Sequence, residues 1–105
     1  MARFQSNGGS YQVLSSRSIA QAFRRLYSRA KKDGRAGPFM SAARQIGHRL
    51  MRAPLEFGEA LYRLPALRLQ VRHGAVGPLL IYFAVHEDKP LVFIKAVTLL
   101  PKQKS

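Results

Sequence analysis

The chain has 105 residues, with 18 lysines and arginines against five acids, no cysteine and a formal net charge of +13 at neutral pH. That length supports one domain with one core, and a hydrophobic content of 47% excludes a disordered chain. The lack of cysteine excludes disulfides, zinc–thiolate sites and thiol nucleophiles. A surface this basic repels itself and calls for a polyanionic partner: RNA, DNA, a ribosome, an acidic protein or an anionic membrane. Twelve of the 18 cations are arginine, which favours forked contacts to phosphate over mere solubility.

In chain order, residues 1–10 hold Asn7, Gly8, Gly9 and Ser10 and read as a loose leader. They contain no apolar signal-peptide core, and no apolar run approaches the roughly 20 residues that span a bilayer. A cytoplasmic protein outside the membrane is expected. Residues 11–14 form a short strand candidate. Ser15 or Ser16 then caps a helix whose apolar stripe is Ile19, Phe23, Leu26, Tyr27 and Ala30. Arg17, Arg24, Arg25, Lys31 and Lys32 lie opposite. Gly34 stops it. A second helix starts at Gly37 and Pro38 and buries Phe39, Ala42, Ala43, Ile46, Leu50 and Ala53, leaving Arg44, His48, Arg49 and Arg52 outside until Pro54 ends it. The short break predicts an antiparallel helix hairpin, too short to stand without a sheet.

After Glu59 the periodicity becomes strand-like. Leu67, Leu69 and Val71 alternate with Arg68, Gln70 and Arg72, which predicts a strand with an apolar inner face and a basic outer face. Residues 74–78 read as a turn, 79–85 as a central strand, 86–90 as a polar hairpin loop and 91–100 as a last strand. A short extra strand near Leu61 is also expected. The predicted domain, residues 11–105, is α+β: an N-terminal strand and an antiparallel helix hairpin packed on one face of a curved antiparallel sheet, in two layers. The other face, or one end of the sheet, is left as a working surface.

This order resembles the RelE/ParE superfamily of toxin–antitoxin systems, including its HigB-like members. Tyr11-Gln12-Val13-Leu14, followed by the helix through Phe23-Arg24-Arg25-Leu26, looks like that family's opening strand and first helix. Leu61-Tyr62-Arg63-Leu64-Pro65 looks like the segment leading into its sheet. Leu67-Arg68-Leu69-Gln70-Val71-Arg72 before Gly74 resembles the strand that carries basic active residues. Leu79-Leu80-Ile81-Tyr82 and Leu91-Val92-Phe93-Ile94 resemble the next two strands, and Pro101-Lys102-Gln103-Lys104 the basic exit. The resemblance implies a small cytoplasmic protein that binds RNA on the ribosome, cleaves mRNA without a metal, and is covered by an acidic antitoxin. ParE-like members act on DNA gyrase, which keeps gyrase open as a target. The chain departs from the ribonuclease pattern at Leu79, where the family carries an arginine, and at Gln70, where it carries a second lysine.

Metal-free RNA cleavage requires a base for the 2′-hydroxyl, cations on the phosphate and an acid for the leaving oxygen. Arg72, His73 and Lys102 are the candidate catalytic set. Arg68, Arg72, Arg24, Arg25, Lys31, Lys32 and Lys104 are the candidate nucleic-acid contacts. The bland alternative is that these are solvated charges, the histidines turn and surface residues, and Tyr82 and Phe83 core. No carboxylate pair, metal-ligand cluster, nucleophile elbow or phosphate loop is present, so no cofactor or metal is expected. A non-catalytic nucleic-acid-binding module, or an adaptor for an acidic protein, is the alternative to an enzyme.

Overall fold

The computed structural model describes residues 10–102. Apart from Ser10, the expected leader lies outside the described residues, as does Lys104. Strand β1 (Gln12–Leu14) leads into helix α1 (Arg17–Lys32) and helix α2 (Ala36–Arg52). Three strands follow an edge strand in antiparallel order: β2 (Glu59–Leu64), β3 (Leu69–Val76), β4 (Leu79–His86) and β5 (Leu91–Leu99). Short 3-10 turns at Pro54–Glu56 and Pro65–Leu67 flank β2. The chain is α+β, with two helices packed on a five-stranded sheet of order β1-β5-β4-β3-β2.

Local signals account for the hairpin. The Ile19 N–H donates to Ser16 Oγ at 3.2 Å, satisfying one of the free donors of the first turn. At the other end Gly34 is left-handed, with φ 74°. The Arg35 N–H returns to Ala30 O at 2.7 Å and the Gly34 N–H to Lys31 O at 3.1 Å. That paired closure reverses the chain sharply enough for α2 to begin at Ala36, one residue ahead of the expected start. Leu26 and Ala30 of α1, with Phe39, Ala42, Ile46 and Leu50 of α2, are buried against Leu79, Ile81, Phe83, Val85, Val92 and Leu99 of the sheet. Each large apolar side chain so covered contributes about 1.5–3 kcal/mol, which neither helix could supply for itself. The Phe39 ring meets Phe23 and Tyr27 edge-on at 6.4 and 5.6 Å.

The sheet departs from expectation in three ways. It is mixed: β1 runs parallel to β5, Gln12 opposite Leu91 and Leu14 opposite Phe93. The connection through both helices returns β1 alongside the last strand, and the Gln12 N–H holds it there by donating to Pro90 O at 2.8 Å. Second, the stretch near Leu61 is a six-residue strand, β2, and not a minor extra. Third, the strand expected at 67–72 begins later. Leu67 belongs to the 3-10 turn and Arg68 is left-handed at φ 55°. Gly74 lies inside β3, and the turn narrows to Gly77 (φ 54°) and Pro78.

Cross-strand register fixes which side chains share a face. Arg72 stands opposite Phe83, Gly74 opposite Ile81, Val76 opposite Leu79 and Gln70 opposite Val85. Those β4 partners all belong to the core under the helices. Gln70, Arg72, Gly74 and Val76 therefore face the helix layer, and Leu69, Val71, His73 and Ala75 face away. The expected inner and outer faces of this strand are exchanged.

Candidate nucleic-acid interface

The exchange of faces decides where charge can act. The side of the sheet free of helices carries Glu59, His73, Tyr82 and Ala96 in one cross-strand row, and Tyr62, Val71, Ala84, Phe93 and Leu14 in the next. It is apolar and aromatic, not basic. Val71 and Ala84 are each only 1% exposed there, so neighbouring side chains already close over the middle of the face. His73 stacks on Tyr82 with ring centroids 5.6 Å apart, and its Nε2 lies 3.6 Å from Glu59 Oε1.

Arg72 sits on the other side, 8% exposed. Its Nε donates to Phe57 O at 3.2 Å, Nη1 to Gln70 Oε1 at 2.7 Å and Nη2 to Gly58 O at 3.2 Å. A charge buried without a carboxylate is tolerable only where dipoles surround it, and two carbonyls and an amide oxygen do so here. Arg72 thereby ties the 57–58 loop to β3. The Phe57 ring stacks on Phe83 at 5.6 Å and 13°, and the Arg49 guanidinium lies 5.0 Å from its centroid.

The expected convergence of Arg72, His73 and Lys102 is corrected by this geometry. Arg72 and His73 are consecutive on one strand and project to opposite faces. Lys102 Nζ donates to Asp33 O at 3.0 Å, beside the helix-hairpin turn and the Gly77 turn. Arg68 lies at the opposite end of β3, whose eight residues span about 25 Å at roughly 3.3 Å each. Arg68 also does not stand beside Arg72. It is ion-paired to Asp88 of the β4–β5 loop, next to the Arg63–Glu87 pair, whose Nε–Oε2 separation is 2.6 Å. The hydrogen bonds from Arg63 and Arg68 hold the Glu87 and Asp88 carboxyls below their ordinary pKa values. His86, expected in the loop, is instead the last residue of β4, and its Nδ1 accepts from the Asp88 and Lys89 N–H groups of the loop, each at 3.0 Å.

What remains basic is the helix layer. Arg17, Arg24, Arg25, Arg29, Lys31 and Lys32 on α1, and Arg44, Arg49 and Arg52 on α2, are all exposed. Neither helix contains an aspartate or glutamate. Among the described residues the ion pairs are Arg35–Asp33, Arg63–Glu87 and Arg68–Asp88, and Glu59 lies 3.6 Å from His73; none of these contacts involves the nine cations. Four of the five acids are thus engaged off the helices, and the helix layer keeps its full charge. Among the candidate contacts, Arg24, Arg25, Lys31 and Lys32 belong to this layer. Sequence reasoning set Arg44, Arg49 and Arg52 aside as merely outward-facing, and did not single out Arg29. The absence of any acid from 17–32 and 36–52 was the available signal.

Comparison with protein-family models, curated proteins and solved structures finds no match. The RelE/ParE resemblance therefore rests on the residues quoted for it.

Between the helices runs a cleft of about 470 Å³, lined by Phe23, Arg24, Tyr27, Ser28, Phe39, Met40 and Ala43. It is apolar inside and cationic at its rim. No cluster of His, Asp or Glu suited to a metal occurs among the described residues, and no helix there is long and apolar enough to cross a membrane.

Proposed function

We propose that this protein is a non-cleaving nucleic-acid binder of RelE/ParE-like shape, which grips phosphate backbone, RNA in the first instance, with the exposed cations of α1 and α2. The reading is carried by nine exposed cations on two helices that contain no acid. A phosphate chain lying over that layer releases condensed counterions, which gives affinity without base-specific contacts. Cleavage is not part of the proposal, because a phosphate on the helix layer is out of reach of His73 and Arg72 lies buried among carbonyls.

The test is binding of ribosomes, single-stranded RNA and duplex DNA across a salt series. Affinity is expected to fall by a slope of roughly 0.7–0.9 per phosphate engaged. An Arg24→Glu, Arg25→Glu variant is expected to lose it. Affinity independent of salt, or retained by that variant, overturns the reading, as does cleavage of bound mRNA.

A second reading is favoured by the cleft. An acidic amphipathic segment of the antitoxin type would place apolar residues against Phe23, Tyr27 and Met40 and carboxylates beside Arg24. Under this reading the protein is an adaptor for an acidic partner. Capture of such a partner from ribonuclease-treated lysate, abolished by Tyr27→Asp, supports it over nucleic-acid binding.

A further inference from the structure

We propose that two copies of this chain associate through the β2 edge. Six large hydrophobic side chains are exposed among the described residues, and four of them fall in residues 54–68: Leu55 (50%), Leu61 (44%), Tyr62 (52%) and Leu67 (62%). Leu61 and Tyr62 lie in β2, and Leu67 in the turn after it. β2 is the outermost strand of the sheet, so its outer row of backbone N–H and C=O groups has no ladder partner. Edge strands are normally blunted by charge, proline or a bulge; this one has no lysine or proline, and its bulge at Leu61 leaves both Leu61 and Tyr62 exposed.

Charge selects the occupant. Among the described residues, acids hold their own in this region. Glu56, Glu59, Glu87 and Asp88 stand against Arg63, Arg68 and Lys89, and both arginines are already ion-paired. Two copies of a +13 chain meeting helix to helix bring nine uncompensated cations against nine; meeting at β2 they bring none. An antiparallel two-fold contact along this edge brings Leu61 and Tyr62 of one copy against those of the other. Leu61 is the bulged residue, skipped between the Ala60–Arg72 and Tyr62–Val71 pairs, so the contact is carried by these apolar side chains and not by an unbroken backbone ladder. The two helix layers then face outward, and the dimer presents two phosphate-binding surfaces. The association stands on the edge strand alone and does not depend on nucleic-acid binding.

The absence of cysteine makes the test direct. Sedimentation velocity over a concentration series is expected to show a reversible dimer. Leu61→Cys is expected to form an intermolecular disulfide on the order of tenfold faster than Met51→Cys, a control thiol on exposed α2, because the paired edges hold the two thiols at high effective concentration. Leu61→Arg is expected to give a folded monomer. If that variant unfolds, Leu67→Arg, in the exposed turn, gives the same result. A wild-type chain monomeric at every concentration overturns the proposal, as does Leu61→Cys cross-linking no faster than Met51→Cys.

Discussion

Gly74 lies directly beneath the ring of Phe57. A Cβ at position 74 would stand 2.7 Å from Phe57 Cζ and 2.9 Å from both Cε atoms. The ring has nowhere to retreat, since it is 3% exposed and packed on Phe83. Gly74→Ala is expected to cost about 1–3 kcal/mol through overpacking, or roughly 4–8 °C in melting temperature per kcal/mol for a domain of this size. Combining it with Phe57→Leu is expected to recover part of the loss. Thermal melts of the single and double variants check the coupling; additive losses would show that the ring is not what position 74 must clear.

Arg72 holds the loop that carries that ring. Arg72→Ala strands the buried Phe57 O, frees the Gly58 carbonyl, and is expected to destabilise by about 1–3 kcal/mol. Arg72→Lys is not expected to rescue it, because an ammonium cannot reach three acceptors that the guanidinium meets from a planar fork. RNA affinity of the folded fraction is expected to be unchanged. Urea unfolding gives the first quantity and anisotropy titration below the unfolding midpoint the second.

The β4–β5 loop predicts a pH dependence. Hydrogen bonds from Arg63 and Arg68 lower the pKa values of Glu87 and Asp88 from 4.5 and 3.8. A carboxyl with a depressed folded pKa binds its proton less readily than in the unfolded chain. Its contribution is present above the ordinary value and lost as pH falls through the folded one. Melting temperature is expected to fall as pH drops below about 4, and Glu87→Gln with Asp88→Asn to flatten that part of the curve. Both groups are exposed, so the effect is modest and shrinks in high salt. A double variant with the wild-type acid profile would exclude the loop as its source.

On the helix layer, Arg25→Ala with Lys32→Ala is expected to reduce the salt slope of RNA binding by about 1–2, with the melting temperature shifting little. Lys95→Ala on the sheet is expected to leave the slope unchanged. A slope that responds to Lys95 and not to the α1 pair would move the interface to the sheet.

The helix hairpin was legible because its signals are local. Ser16, Gly34 and the stripe through Leu26 and Ala30 sit within a few residues of what they act on. The central strand β4 was legible for the same reason, as an unbroken apolar run from Leu79 to Val85. The phase of β3 was not. Alternation of Leu69 and Val71 with Gln70 and Arg72 reads identically whichever side the helices cover. The choice was made by the register of Arg72 against Phe83, a partner eleven residues away across a turn. An arginine on the inner face also defies the usual hydrophobic ordering, and besides Gln70 Oε1 it is Phe57 O and Gly58 O, fifteen and fourteen residues upstream, that make it tolerable. Gly74 read as a turn because the ring it accommodates comes from the same loop. The basic surface was foreseen on the α1 edge, through Arg24, Arg25, Lys31 and Lys32, but also on the sheet, since the acids that neutralise Arg63 and Arg68 arrive from a distant hairpin.

The parallel pairing of β1 with β5 has a consequence for biosynthesis. Gln12–Leu14 meets its partners only at Leu91–Phe93, and the strands that cover Leu26, Ile46 and Leu50 are translated after both helices. A ribosome-bound chain that has extruded residues 12–52 thus displays two bare apolar stripes and a strand with nothing to join. Until Leu91–Phe93 has been made and has left the exit tunnel the sheet cannot close, and the nascent hairpin keeps both stripes uncovered.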